Sequence, residues 1–315
     1  MKKAIKTIKI GKKRLKINLF LAPMLGFTNF AFRELIQKIT KIPVFTEMIP
    51  INALSKDSNY CKDLIKRGNS EKNVFYQFFG NDEEKLVKSI DNLLDLGIKI
   101  DFLNLNCGCP ASDIVSQGAG SALLKRESKI IKMIKRTKQS FDIPFTIKIR
   151  TGFDYPKHLN YKKLENVGLD AIFIHGKTKK QQYAGEIDIN FIKEAKSKTK
   201  IPIIANGNIN SKKQILLLHN TTNCDGFMIG RAALTNPFVF DEILNNKYHG
   251  FEEKINFLEE YYKLLESENK KSAFIKTKNL SLFMTRDISG AVKARINISK
   301  AKTFKEITRT LKKLN

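Results

Sequence analysis

Eight short apolar runs separated by amphipathic stretches predict a (β/α)8 barrel, the TIM-barrel fold class, between about residues 19 and 235. A span of roughly 220 residues fits the size of such a barrel. A doubly wound sheet is the alternative, but the first run continues as Ala-Pro-Met-Leu-Gly-Phe and lacks the glycine-rich turn typical of that fold. After Pro237 the strand pattern stops, and only helices are predicted.

The strands are predicted from runs rich in β-branched and aromatic residues, of which the second is weakly marked. They span residues 19–22, 44–46, 74–78, 102–105, 145–148, 171–175, 202–205 and 226–229. Helices are predicted between them, for example over 83–96, 128–139 and 211–218. Residues 1–240 therefore form the predicted barrel domain, in which residues 1–18 make a hairpin around Gly11 that closes the bottom. Residues 241–315 form a small helical domain, with helices over 251–268, 272–285 and 302–314.

The chain is strongly basic, with 57 Lys and Arg against 31 Asp and Glu and a net charge of +26. Such a charge attracts polyanions. A genome rich in A and T, which favours Lys, Asn and Ile, is the alternative explanation for the lysine content. The distribution favours a basic surface, because residues 1–18 hold eight basic and no acidic side chains and residues 270–315 hold thirteen basic and two acidic ones.

The sequence contains no feature typical of a membrane or secreted protein. No apolar run approaches the ~20 residues of a transmembrane helix, and no apolar signal-peptide core follows the basic start. Four cysteines in 315 residues do not form a disulfide framework, so reduced thiols are predicted. We expect a cytoplasmic, monomeric protein.

Residues that differ from the bulk apolar residues of the strands follow seven of the eight predicted strands. In a TIM barrel these positions meet at the C-terminal mouth, where catalysis takes place. A purely structural protein has little reason to concentrate polar groups there, so an enzyme is predicted. The residues are Pro23 and Met24, Gln77 and Gly80, residues 106–110, residues 148–150, residues 175–178, residues 206–208, and Gly230 and Arg231.

Glycines after the last two strands, Gly207 and Gly230, predict a phosphate site, since backbone N–H groups can approach an anion closely there. Arg231 would add a charge-assisted contact. Each glycine alone could simply serve a tight turn, and His175 alone could be a hydrogen-bonded core histidine. Together with Lys148 at the same mouth, they favour a phosphorylated cofactor.

The Cys107-Gly108-Cys109 sequence after the fourth strand allows three interpretations. Half a metal site is one, but no second Cys/His pair with zinc-like spacing exists, and we predict no metal. Buried inert thiols are another. A catalytic thiol is favoured, because Gly108 and Pro110 shape a tight loop that would fix Cys109 for proton transfer.

The chain contains a series of short motifs that resemble, in the same order, those of the tRNA-dihydrouridine synthases. The resemblance extends over nearly the whole chain. Residues 290–303 look most like the bacterial B-type branch. The motifs are residues 22–33 (APMLGFTNFAFR), 46–48 (TEM), 77–80 (QFFG), 106–110 (NCGCP) with 118–124 (GAGSALL), 148–150 (KIR), 175–178 (HGKT), 181–185, 206–207 (NG) and 230–233 (GRAA).

The resemblance implies an FMN enzyme that reduces the uracil C5–C6 bond of tRNA uridines, with NADPH re-reducing the flavin. Cys109 would protonate C5 as the general acid while hydride reaches C6, and an ordinary thiol pKa of ~8.5 suits that role. Asn106 would orient the uracil, with Arg150 and Gln181 as further substrate contacts. The implied FMN-binding residues are Pro23, Met24, Gln77, Lys148, His175, Asn206, Gly207, Gly230 and Arg231. The implied tRNA contacts of the C-terminal helices are Lys293, Arg295, Lys300 and Lys302.

The sequence departs from the family's usual residues at three positions. Asn29 replaces Asp, Lys177 replaces Arg, and Asn208 replaces Asp. Two other functions stay open: an FMN barrel oxidoreductase that acts on a free pyrimidine-like molecule, and a non-catalytic RNA-binding protein. The basic C-terminal region argues against the first, and Cys109 with the predicted phosphate site argues against the second.

Overall fold

The computed structural model of the protein describes residues 3–57, 61–286 and 288–314, so residues 1, 2, 58–60, 287 and 315 of the predicted domains lie outside it. The described chain begins with an antiparallel hairpin of β1 (Ile8–Ile10) and β2 (Lys13–Leu15), which turns at Gly11. Gly11 has φ +57°, a left-handed conformation that glycine adopts without steric cost.

Eight parallel strands follow and confirm the predicted TIM barrel. The sheet order is β3-β10-β9-β8-β7-β6-β5-β4, and at its seam the Leu21 N–H donates to the Pro43 carbonyl over 3.1 Å. The strands are β3 (Leu19–Leu21), β4 (Val44–Pro50), β5 (Val74–Phe79), β6 (Phe102–Cys107), β7 (Phe145–Arg150), β8 (Ala171–His175), β9 (Ile203–Asn206) and β10 (Gly226–Ile229).

Helices alternate with these strands and cover the outside of the barrel. Asp82 and Asp188 cap two of them by accepting hydrogen bonds from backbone N–H groups of the first turn. They are α1 (Phe30–Ile39), α2 (Ile51–Leu54), α3 (Lys62–Ile65), α4 (Glu83–Asp95), α5 (Ser112–Ser116), a 3-10 helix (Gly120–Lys125), α6 (Glu127–Ser140), α7 (Tyr161–Asn166), α8 (Ile189–Ser197), α9 (Lys212–Thr222) and α10 (Ala232–Thr235).

Aromatic rings fill the barrel interior. Phe75 stacks on Phe45 and Phe102 with ring centroids 4.5 and 4.2 Å apart. Ile10 and Leu15 of the hairpin belong to the same buried cluster. Because these side chains fill the interior and the bottom of the described barrel, a ligand is expected at the C-terminal ends of its strands.

The remaining helices are α11 (Val239–Asn245), α12 (Phe251–Glu266), α13 (Lys270–Met284), α14 (Val292–Lys300) and α15 (Phe304–Lys312). They pack against the barrel near its first strand: the Asn29 amide donates to the Tyr261 hydroxyl over 2.7 Å, and the rings of Phe27 and Phe283 meet at 4.9 Å. In the described ranges, no helix combines the length and apolarity that crossing a membrane requires.

Candidate active site

Strand register brings the predicted polar residues together at the barrel mouth. Lys148 of β7 pairs with Asn106 of β6, and Arg150 pairs with His175 of β8. His175 in turn pairs with Asn206 of β9. Parallel strands in matching register place their C-terminal side chains side by side. Residues that are up to 100 positions apart in sequence therefore line one site.

The cysteine loop, residues 107–111, holds Cys109 from two sides. The Asn106 side-chain oxygen accepts hydrogen bonds from the backbone N–H groups of Gly108 (3.1 Å) and Cys109 (2.8 Å). On the other side, Ser121 N–H donates to the Cys109 carbonyl over 3.0 Å. Gly120 packs closely there, since an added Cβ would lie only 3.2 Å from the Cys109 Cβ. The position of the Cys109 backbone is thus fixed.

The two cysteines of this loop have different surroundings. Cys107 is completely buried, and burial raises its pKa, which fits an inert thiol. Cys109 is partly exposed, and burial raises its pKa as well, although nearby Arg150 and Lys148 act in the opposite direction. The pKa of Cys109 therefore lies above the ordinary thiol value expected from the sequence. A raised pKa keeps this thiol protonated at neutral pH and able to donate a proton.

Buried amides connect Asn106 to the strands beside it. The Asn106 amide nitrogen donates to the Gln77 side-chain oxygen (2.9 Å) and approaches the Met48 sulfur at 3.0 Å. Gln77 then donates to Asn104 over 2.7 Å. Because both ends of its amide are engaged, Asn106 holds the cysteine loop; its predicted contact with uracil remains a prediction.

Four basic side chains gather at the mouth: Lys148, Arg150, Lys177 and Arg231. Within the described ranges, none of them forms an ion pair with a carboxylate. Burial lowers the pKa of Lys148 to about 7, with a further contribution from Arg150. Burial and the same cations lower the pKa of His175 to about 2, so its ring is neutral. A cluster of cations without counter-ions suits an anionic ligand.

Arg150 links the cysteine loop to the β8–α8 loop, residues 176–188. Its guanidinium donates to the Gly108 carbonyl (2.8 Å) on one side and to the Thr178 (2.8 Å) and Gln182 (2.6 Å) carbonyls on the other. Gln181 is exposed, and its side-chain oxygen accepts from the Thr178 N–H over 2.8 Å. Both predicted substrate contacts therefore shape loops at the mouth.

The two predicted phosphate-site glycines differ in their packing. An added Cβ on Gly207 would lie 2.6 Å from Ile187 and 3.0 Å from the His175 ring, so packing within the chain already requires this glycine. On Gly230 it would meet its nearest atoms, in Ala22 and Met24, at ordinary contact distances of 3.6 and 3.8 Å. Packing within the chain therefore does not require a glycine at position 230.

A family model for dihydrouridine synthases matches residues 20–314. The chain belongs to the dihydrouridine synthase family. A tRNA-dihydrouridine synthase B of Pseudomonas putida is 34% identical over 240 residues, covering 75% of this chain and 70% of that protein. A tRNA-dihydrouridine synthase B of Vibrio cholerae is 34% identical over 247 residues, covering 77% of this chain and 76% of that protein. A probable tRNA-dihydrouridine synthase of Helicobacter pylori is 30% identical over 271 residues, covering 84% of this chain and 82% of that protein.

Solved structures agree with the barrel fold of this dihydrouridine synthase. The old yellow enzyme from Trypanosoma cruzi has a TM-score of 0.55 at 9% identity and covers 79% of this chain and 93% of its own. Morphinone reductase in complex with tetrahydroNAD has a TM-score of 0.55 at 12% identity, and the match covers 78% of this chain and 91% of the reductase chain. At such identities the likeness concerns the fold alone.

The remaining predicted residues of the synthase lie at the mouth and on the C-terminal helices. Pro23 and Met24 are half-buried in the turn after β3, whose Gly26 N–H donates to Glu47 over 2.7 Å. Asn206 is buried and donates to the Met228 carbonyl over 2.8 Å.

On α14 and just beyond it, Lys293, Lys300 and Lys302 are exposed, and no ion pair engages them in the described part of the chain. Arg295 is half-buried and donates to the Thr285 carbonyl over 2.8 Å. Three of the four predicted tRNA contacts are therefore available to a ligand, and the fourth stabilises the helix junction.

Sequence reasoning missed Tyr183, which lies at the mouth of the synthase. The residue is 54% exposed, and its ring stands 4.8 Å from the Arg231 guanidinium and 5.5 Å from that of Arg150. The only signal was an aromatic residue inside the motif at 181–185. Across the residues that the structure describes, no three His, Cys, Asp or Glu side chains gather where a metal ion could bind.

Proposed function

We propose that this dihydrouridine synthase is an FMN-dependent enzyme that reduces the C5–C6 bond of uridines in tRNA, with Cys109 as the proton donor. The observation that carries the proposal is the position of Cys109. A thiol kept protonated by burial stands at the mouth of a barrel beside Lys148 and Arg150. The site thus combines a proton donor with positively charged side chains. The proposed reaction needs both, since a proton is donated to the substrate and an anionic cofactor is bound beside it.

The mouth fits FMN in its charge and in its packing. The basic side chains Lys148, Arg150, Lys177 and Arg231 have no carboxylate partners within the described residues, and the FMN phosphate would supply negative charge for them. Gly230 leaves room for the close approach of a ligand. The residues proposed to hold FMN are Pro23, Met24, Gln77, Lys148, His175, Asn206, Gly207, Gly230 and Arg231.

Bound FMN, once reduced by NADPH, would supply the hydride that adds to uracil C6. Cys109 donates its proton to C5, so that the C5–C6 double bond becomes a single bond carrying two new hydrogens. The resulting Cys109 thiolate recovers a proton from solvent. Asn106 keeps Cys109 in place during this transfer by binding its backbone N–H.

We further propose that residues 1–240 form the catalytic domain and residues 241–315 the tRNA-binding domain. A uracil inside folded RNA is out of reach of Cys109, so the target nucleotide must be extruded into the mouth. Contacts between phosphates and the exposed Lys293, Lys300 and Lys302 would offset the cost of extrusion.

The visible absorption spectrum of the purified protein tests this function. A flavin spectrum should bleach with NADPH under anaerobic conditions and return only when unmodified tRNA is added. A reduced flavin that ignores tRNA but reoxidises with a free pyrimidine would support a small-molecule oxidoreductase. A protein that takes up no flavin when FMN is supplied would contradict the proposal.

A further inference from the structure

Lys177 is a buried lysine, and among the described residues its ammonium hydrogen-bonds only to uncharged oxygens. The residue is 1% exposed and follows β8 directly after Gly176. Its Nζ donates to the Tyr183 carbonyl (2.9 Å) and to the Asn208 side-chain oxygen (3.3 Å). A buried ammonium is costly unless it is hydrogen-bonded. The two oxygens therefore hold Lys177 in place, and Lys177 connects the two segments that carry them.

The two segments belong to different loops of the mouth. Tyr183 lies in the β8–α8 loop, and Asn208 follows β9 with φ +51°. Lys177 and Asn208 contact each other through their side chains, so the two residues form one structural unit. It contains a single ammonium donor and a neutral acceptor.

The β8–α8 loop forms a wall of the site. Backbone hydrogen bonds join its Lys179 and Lys180 N–H groups to the Gly152 (2.9 Å) and Phe153 (3.0 Å) carbonyls, and two basic side chains also hold it. Arg150 binds its Thr178 and Gln182 carbonyls from β7. Lys177 binds the Tyr183 carbonyl from the end of β8. The Tyr183 ring then stands 4.8 Å from the Arg231 guanidinium at the mouth. Loss of the Lys177 tether would free the half of the loop that carries this ring.

We propose that Lys177 and Asn208 act as a positioning pair that holds the β8–α8 loop, and Tyr183 with it, in the wall of the active site. Its importance for uridine reduction rests on the proposed function, whereas its effect on the loop does not. The mobility of the loop can therefore be measured on the protein without tRNA or NADPH. A result against the positioning pair is then distinguishable from a result against the proposed activity.

The test is hydrogen–deuterium exchange of the loop amides, followed by mass spectrometry. Lys177→Met should speed exchange in residues 178–186 about tenfold, the effect of losing one charged hydrogen bond. Lys180→Met is the matched control, because Lys180 is an exposed lysine of the same loop, and it should leave exchange unchanged. Equal exchange in the two variants would overturn the proposal.

The acceptor provides a second test that does not depend on the folding of Lys177→Met. Asn208→Gly removes the side chain at a positive φ that glycine tolerates, and it should speed exchange in the same residues. The double change Lys177→Arg with Asn208→Asp should restore the exchange of the unaltered protein, because it rebuilds the tether as an ion pair. Fast exchange in the double variant, or unchanged exchange in Asn208→Gly, would contradict the pair.

Discussion

The side-chain oxygen of Asn106 accepts a hydrogen bond from the backbone N–H of Cys109 over 2.8 Å. The same oxygen accepts from Gly108, while the Asn106 amide nitrogen donates to Gln77 over 2.9 Å. One side chain thus joins the cysteine loop to strand β5. The placement of the proposed acid therefore depends on a residue of the preceding strand.

Asn106→Ala should release the cysteine loop and slow the reduction of tRNA by roughly 100-fold, because a misplaced catalytic group costs about that factor. It should also change the rate at which iodoacetamide alkylates Cys109 in the absence of tRNA. Reduction of the bound flavin by NADPH serves as the internal control and should be unaffected. An unchanged rate of tRNA reduction and unchanged alkylation would show that Asn106 does not position Cys109.

Cys109→Ala should slow flavin reoxidation by tRNA by about 10²- to 10⁴-fold, the usual contribution of a general acid. Cys224→Ala, which removes a buried thiol beside β10, is the control and should retain activity. Stopped-flow absorbance of the pre-reduced enzyme measures both. A Cys109→Ala enzyme that reduces tRNA at the normal rate would remove Cys109 from the mechanism.

Gly120 has φ +59°, and an added Cβ would lie 2.8 Å from Ile114 and 2.9 Å from the Cys109 carbonyl. Gly97 has φ +73° with no atom within 4 Å of an added Cβ. Both Ala variants carry the backbone strain, but only Gly120→Ala adds a clash. We expect Gly120→Ala to lower the free energy of unfolding in urea by about 1 kcal/mol more than Gly97→Ala does. An equal decrease in the free energy of unfolding in both variants would show that the loop around Cys109 rearranges to accommodate the added methyl group.

Lys148 should take up a proton when FMN binds. Burial and Arg150 lower its pKa to about 7 in the free protein, so above pH 7 the amine is mostly neutral. An anion bound beside it favours the charged form, and FMN affinity should therefore fall as pH rises through 7. Isothermal titration calorimetry in buffers of different ionisation enthalpy measures the uptake. The Lys148→Arg variant stays charged at this position and should lose the proton uptake. Identical uptake in the two proteins would show that Lys148 is not the group that takes up the proton.

Changing Lys293, Lys300 and Lys302 together to Gln should weaken tRNA binding and lower the slope of log K against log salt by roughly two. Each of these exposed lysines is available to a phosphate. Fluorescence anisotropy of labelled tRNA at several salt concentrations gives the slope.

The matched control for this experiment changes Lys6, Lys9 and Lys16 to Gln. These lysines are exposed on the N-terminal segment around the hairpin, at the bottom of the barrel. The net charge changes by the same amount, so a general field effect would weaken binding equally. A similar loss of slope in both triple variants would mean that the C-terminal helices are not the tRNA contact.

The barrel was predictable because each strand is a short, buried, β-branched or aromatic run, so the sequence pattern and the burial coincide. Strand β4 was predicted too short, as 44–46; it extends to Pro50 with a register shift between Phe45 and Met48 that breaks the regular pattern. Helix α14 was not predicted, because its apolar Val292 and Ile296 are 61% and 49% exposed and obscure the helical period.

For the site, the positions of residues at strand ends followed from the fold class, but their contacts did not. Arg150 binds three carbonyls of two loops, and no local pattern indicates such partners. The contact between Lys177 and Asn208 likewise joins residues 31 positions apart. Long-range hydrogen bonds depend on how the loops fold over the mouth, which a single sequence does not encode in its periodicity.

The most direct test of the central claim is nucleoside analysis by mass spectrometry of unmodified tRNA incubated with the FMN-loaded enzyme and NADPH. We predict a uridine that has gained two hydrogen atoms with the unaltered protein and with Cys224→Ala, and almost none with Cys109→Ala in the same time. Unmodified tRNA with every one of the three proteins, despite a flavin that NADPH reduces, would contradict the proposed function.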